Sequence, residues 1–117
     1  MQIRKIYKDV LPELLYDEVK DFVLKQGASI SEAKLGTYSL PQDSSSFVYR
    51  GTIIFKCQGK TGEAETECLR AHIQGLPKGE TKLIIDINTG LFAEDKVTAL
   101  LNDLDFIFSS YEVKKPQ

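Results

Sequence analysis

Residues 47–57 read FVYRGTIIFKC, and this stretch decides the fold. Aromatic and β-branched residues dominate it, which suits a pleated, half-buried strand. The glycine-punctuated QGKTG at 58–62 follows and is expected to close a hairpin, with the return strand over 63–74. GLPKGE at 75–80 reads as a loop and TKLIIDIN at 81–88 as a further strand, ended by Asn88-Thr89-Gly90. On the other side, QDSSS at 42–46 reads as a loop after Pro41, with a strand over 30–40 before it. Four successive strands joined by short turns imply an antiparallel meander.

Helices flank this meander. Pro12 suits the first turn of a helix over 12–26, since its missing N–H is not needed there. Leu11, Leu14, Leu15, Val19, Phe22 and Val23 form the expected apolar stripe, and Gly27 the C-terminal cap. A second helix is expected over 92–111, with Val97, Leu100, Leu101, Leu104, Ile107, Phe108 and Tyr111 at helical spacing. Residues 2–7 fit either a strand or a helix; Pro12 favours a strand with a break before the first helix. The tail at 113–117 is polar and expected to fray.

The expected architecture is therefore α+β, a single domain over 1–117: a two-layer sandwich in the order β-α-β-β-β-β-α, with a four- to five-stranded antiparallel sheet and both helices on one face. This element order is similar to the TATA-binding-protein-like and helix-grip folds over the whole chain, without shared motifs. The resemblance implies the scaffold and no particular activity.

Alternation along the strands assigns faces. Tyr49, Ile53, Phe55 and Cys57 share one side of their strand, and Leu83, Ile85 and Ile87 one side of theirs; both sets belong under the helices. Val48, Ile54 and Ile84 then fall on the open face, where they are either scattered exposure or a partner surface. The return strand inverts its polarity near Glu67-Cys68-Leu69. One extra residue there, a β-bulge, would turn Arg70 and His72 outward and Leu69, Ala71 and Ile73 inward. Without a bulge, Arg70 and His72 would form a polar site beneath a helix.

No stretch carries a catalytic, cofactor or metal motif. Gly59-Lys60-Thr61 lacks the upstream glycine and following helix of a phosphate loop; Ile54 stands where that glycine would be. Asp86-Ile87-Asn88-Thr89-Gly90 has its glycine one position early for a calcium loop, and Val97 stands where the closing glutamate would be. Cys68 and His72 are too far apart for a thiol–imidazole pair, roughly 13 Å along a strand. The symmetric hairpin places Cys57 and Cys68 on paired strands but out of register, so reduced thiols are expected, without a disulfide or a shared metal. Glu63, Glu65 and Glu67 make a carboxylate row that reads as a solvated face. Phe106 lies off the stripe of the second helix.

Charge and composition bound the partners. The net charge is −2, which speaks against a broad nucleic-acid footprint and a polybasic membrane anchor. No apolar run is long enough to span a bilayer and no secretory signal opens the chain, so a soluble, cytoplasmic domain is expected. The functional expectation is a non-catalytic interaction or homodimerising domain using the open sheet face around Val48, Ile54 and Ile84. The alternative is a small apolar ligand held between the sheet and the C-terminal helix, with Tyr38, Tyr49, Arg70 and His72 at its mouth. An enzyme ranks third, because no nucleophile–base pair is visible.

Overall fold

The computed structural model describes residues 1–40, 43–58, 64–76 and 79–113, with side chains described outside 39–47. The chain runs β1 (Gln2–Lys8), α1 (Pro12–Lys25), β2 (Ser29–Leu40), β3 (Asp43–Cys57), β4 (Thr66–Gly75), β5 (Glu80–Ile87) and α2 (Glu94–Phe108), then a 3-10 turn at Ser109–Tyr111. The five strands form one antiparallel sheet in the order β1-β5-β4-β3-β2. Residues 2–8 are thus a strand, and the two-layer α+β architecture is the expected one.

Both helices lie on one face. Pro12, Leu15, Tyr16, Val19 and Val23 of α1 are buried, as are Val97, Leu100, Leu104 and Phe108 of α2. They cover Ile53 and Phe55 of β3, Leu69, Ala71 and Ile73 of β4, and Leu83, Ile85 and Ile87 of β5, all 0–5% exposed. Tyr7 of β1 packs its ring 5.6 Å from that of Phe108. Lys96 Nζ donates to the Gln26 carbonyl at 2.9 Å and ties α2 to the end of α1.

Two glycines set the spacing between layers. A Cβ on Gly51 would stand 2.7 Å from the ring of Tyr16, and one on Gly75 would stand 3.2 Å from Pro12 Cγ. α1 therefore rests directly on β3 and β4. The stripe on α1 is rotated from the expected one: Leu11 and Leu14 are exposed, while Pro12 and Tyr16 take the buried positions. Ile107 and Tyr111 of the second stripe are likewise exposed: Ile107 lies on the outer side of α2, and Tyr111 comes after its end at Phe108.

The expected bulge in the return strand is present. Phe55 is opposite Leu69 but Lys56 is opposite Glu67, leaving Cys68 as the extra residue. Leu69, Ala71 and Ile73 are buried as a result, and Arg70 and His72 lie on the open face.

Two strand boundaries differ from the sequence reading. β3 begins at Asp43, so 43–46 extends the hairpin instead of forming a loop, with a register shift between Ser39 and Leu40. β4 begins at Thr66, not at 63. The connection from Cys57 is therefore longer than a tight turn, and this corrects the expected cysteine geometry. Cys57 is opposite Thr66, the bulge turns Cys68 inward, and the two form a disulfide with Cα atoms 5.7 Å apart. Of the expected turns at 58–62 and 75–80 and the expected frayed tail at 113–117, residues 59–62, 77–78 and 114–117 lie outside the described residues; Val113 is held, its N–H donating to the Ile6 carbonyl.

Candidate functional site: the open sheet face

The face away from the helices is built from rows that cross all five strands. Register alone sets one row as Lys34, Thr52, His72, Ile84 and Arg4. A second runs Glu32, Ile54, Arg70, Asp86 and Gln2, and a third Gly36, Arg50, Gln74, Lys82 and Ile6. Strand spacing makes this platform roughly 20 Å wide.

Sign is not evenly shared between the layers. With Lys8 opposite Glu80 and Lys56 opposite Glu67, the strand-paired residues described on the open face carry seven cations against four carboxylates. The two helices carry eight carboxylates against three lysines. A chain of net charge −2 thus segregates its positive charge onto the sheet.

Local contacts hold several of these groups in place. Arg70 pairs with Glu67 at 2.9 Å, which raises the guanidinium further above its ordinary range. Gln2 donates to Asp86 at 2.7 Å and accepts from Arg4 Nε at 2.6 Å. Thr52 Oγ1 and His72 Nδ1 lie 3.4 Å apart, a cross-strand contact between half-buried neighbours. Arg50 stands over the ring of Tyr38, 5.9 Å from its centre.

Ile54 and Ile84 are half-buried and do not touch as one apolar patch. Arg70 and His72 of β4 stand between them. Val48 is half-buried further out, opposite Tyr38 at the hairpin end. The surface is therefore aliphatic side chains set among cations, not a continuous greasy patch.

The four residues expected at a ligand mouth are not brought together. Arg70 and His72 sit mid-sheet on the open face, Tyr38 near the distal end of β2, and Tyr49 on the opposite side. The space between sheet and α2 is occupied by Phe92, Val97, Leu100, Leu104 and Phe108, all 0–2% exposed. A groove of about 400 Å³ does exist at the other end of the layer interface, lined by Val10, Leu11, Pro12, Val48, Tyr49 and Leu76 among others. Only Tyr49 of the expected mouth reaches it.

The helical layer holds one electrostatic feature that sequence reasoning did not find. Glu18 of α1 meets Asp103 of α2, and the hydrogen bond between the two carboxyls, with partial burial, pushes Glu18 up to about 7. Asp103 Oδ2 is buried without a partner unless Glu18 supplies a proton. The phenol of Tyr7 is also enclosed without a partner, and burial raises it well above its ordinary range. Of the carboxylate row, Glu63 lies outside the described residues, while Glu65 accepts from Ser29 and Glu67 from Arg70. No group of three or more potential metal ligands occurs among the described residues. No helix among them is long and apolar enough to cross a membrane.

No family model matches this chain, and neither a curated protein nor a solved structure does.

Proposed function

We propose that this domain is a non-catalytic interaction module whose open sheet face receives an acidic protein segment. The observation that carries the reading is the charge segregation: seven cations surround Ile6, Ile54 and Ile84 on one face of an acidic chain. Complementary potential steers encounter and rejects wrong partners. Half-buried aliphatic side chains between the cations would meet apolar residues alternating with carboxylates. Among the described residues the face has one aromatic, Tyr38, at its edge, which by itself offers no stacking platform for the bases of single-stranded nucleic acid.

The compartment belongs to the same reading. In place of the expected cytoplasmic setting, the Cys57–Cys68 bond favours an oxidising one, where disulfides persist.

Affinity capture with three proteins tests this reading: the natural chain, Arg70→Glu with Ile54→Glu, and Phe106→Ser on the helical layer. The expected result is a partner retained by the natural chain and Phe106→Ser but lost with the sheet-face pair. Retention by the sheet-face pair would defeat the proposal.

A second reading rests on the groove beside Pro12. Its apolar walls and the phenol of Tyr49 suit a small apolar ligand of modest size. Binding of a hydrophobic reporter dye that Leu76→Arg abolishes would favour it; dye binding unaffected by that change would remove it.

A further inference from the structure

The two edges of the sheet are treated differently. β1 is covered in part: Val113 N–H donates to the Ile6 carbonyl at 2.7 Å, and Glu112 bridges to Tyr7. Lys5 reinforces this with ion pairs to Glu112 at 3.1 Å and Asp105 at 3.5 Å. β2, at the other edge, is twelve residues long and pairs on one side only among the described residues. An edge of that length presents unpaired N–H and C=O groups, a template for another strand.

The side chains of β2 are incompletely covered as well. Ala33 and Leu35 face the helical side, opposite Ile53 and Gly51, yet both are exposed, because α1 rests over β3 and β4 instead. Leu35 is 39% exposed and Ile30 38%. On the open side, Glu32 and Lys34 flank Ala33 and pair with each other at 3.0 Å, Lys34 exposed and Glu32 half-buried.

We propose that β2 pairs with β2 of a second copy, antiparallel, about a twofold axis at Ala33, joining the two sheets into one. Antiparallel pairing about Ala33 places Glu32 of each chain directly opposite Lys34 of the other. Two reciprocal ion pairs then form on the open side. On the helical side the same register sets the two Ala33 residues opposite each other, where the small side chain lets the strands approach at the axis, and Leu35 of each chain opposite Ser31 of the other, at the register shift between Ile30 and Glu32. Pairing about Lys34 would oppose two ammonium groups, and pairing about Leu35 would leave Glu32 and Lys34 without opposite charges. Charge complementarity therefore selects both the occupant and the register. This proposal does not depend on the proposed function, although Lys34 belongs to the cationic face as well; Leu35→Lys acts from the helical side and Arg70→Glu with Ile54→Glu lies away from the edge, so failure of one reading is distinguishable from failure of the other.

Sedimentation velocity across the micromolar range tests the pairing, with circular dichroism to check folding. The natural chain is expected as a dimer of the 13.2 kDa subunit. Lys34→Glu sets carboxylates opposite carboxylates and should weaken the dimer by about tenfold or more. Adding Glu32→Lys to it restores opposite charges and should recover the dimer. Leu35→Lys should weaken it through the other face. A natural chain that stays monomeric throughout overturns the proposal. So does a dimer unmoved by Lys34→Glu, or one broken by Ile54→Glu while Lys34→Glu leaves it intact.

Discussion

The ring of Tyr16 covers Gly51 so closely that a Cβ there would stand 2.7 Å from Tyr16 Cδ2 and 3.1 Å from Leu35 Cδ1. The absence of a side chain at the middle of β3 is what lets α1 settle on the sheet. Gly51→Ala is expected to destabilise the domain by roughly 1–3 kcal/mol through overpacking, after the smaller entropic gain of replacing glycine. Denaturant melts of Gly51→Ala and of Gly51→Ala with Tyr16→Leu would check this. The second change should recover part of the loss if the ring is the obstacle.

The Cys57–Cys68 bond closes a loop across the β3–β4 connection, eleven residues apart in sequence. A cross-link over such a loop constrains the unfolded chain by about 3 kcal/mol in the chain-entropy view. Cys57→Ser with Cys68→Ala should therefore melt lower than the natural chain, and reductant should lower the natural chain toward the variant. Mass after alkylation without reductant should show no free thiol. Two alkylated cysteines in freshly isolated protein would contradict the bond and with it the oxidising setting.

Glu18 sets a pH dependence. In the unfolded chain its carboxyl releases a proton near the ordinary 4.5; in the folded domain, hydrogen-bonded to Asp103, it holds the proton up to about 7. The folded state binds more protons between those limits, so stability contributed by this pair is present below the window and is lost as pH rises through it. Glu18→Gln keeps a donor facing Asp103 at every pH. Thermal melts should find the variant more stable than the natural chain above the window and nearly equal to it below. A constant difference at all pH values would refute the pairing.

Thr81 is the buried polar residue of the core, 1% exposed, and its hydroxyl donates to the Val10 carbonyl at 2.7 Å. This bond fixes the chain where it leaves β1 for α1. Thr81→Val keeps the shape and leaves that carbonyl unsatisfied, at a cost of about 1–3 kcal/mol. Thr81→Ser should retain most of the stability. Equal melts for valine and threonine would show the bond to be dispensable.

Much of this architecture was legible from periodicity. Ile53, Phe55, Leu83 and Ile85 alternate strictly, and the bulge at Cys68 announced itself as an inversion of polarity, because apolar residues cannot change faces without an extra residue. The helical stripes were legible in position but not in rotation. Leu11 and Leu14 fit the period yet lie outside, since Gly51 and Gly75 draw α1 in by its Tyr16 and Pro12 side. The disulfide is not legible in the sequence, since a symmetric hairpin puts Cys57 and Cys68 out of register. The bulge and the later start of β4 shift the register that brings Cys57 to Cys68. Segregation of charge between layers was hidden for another reason: net charge is a sum over the chain, and strand alternation distributes it only once the register is known. The contact of Glu18 with Asp103 joins two helices far apart in sequence, and no local pattern signals it.

Opposite signs on the two layers give the molecule an electric dipole perpendicular to its sheet. A charged body of either sign will turn the domain before touching it, within a screening distance of about 8–10 Å at ordinary ionic strength. Orientation would then precede recognition. Added salt should slow the approach of a productive partner far more than it loosens the complex already formed.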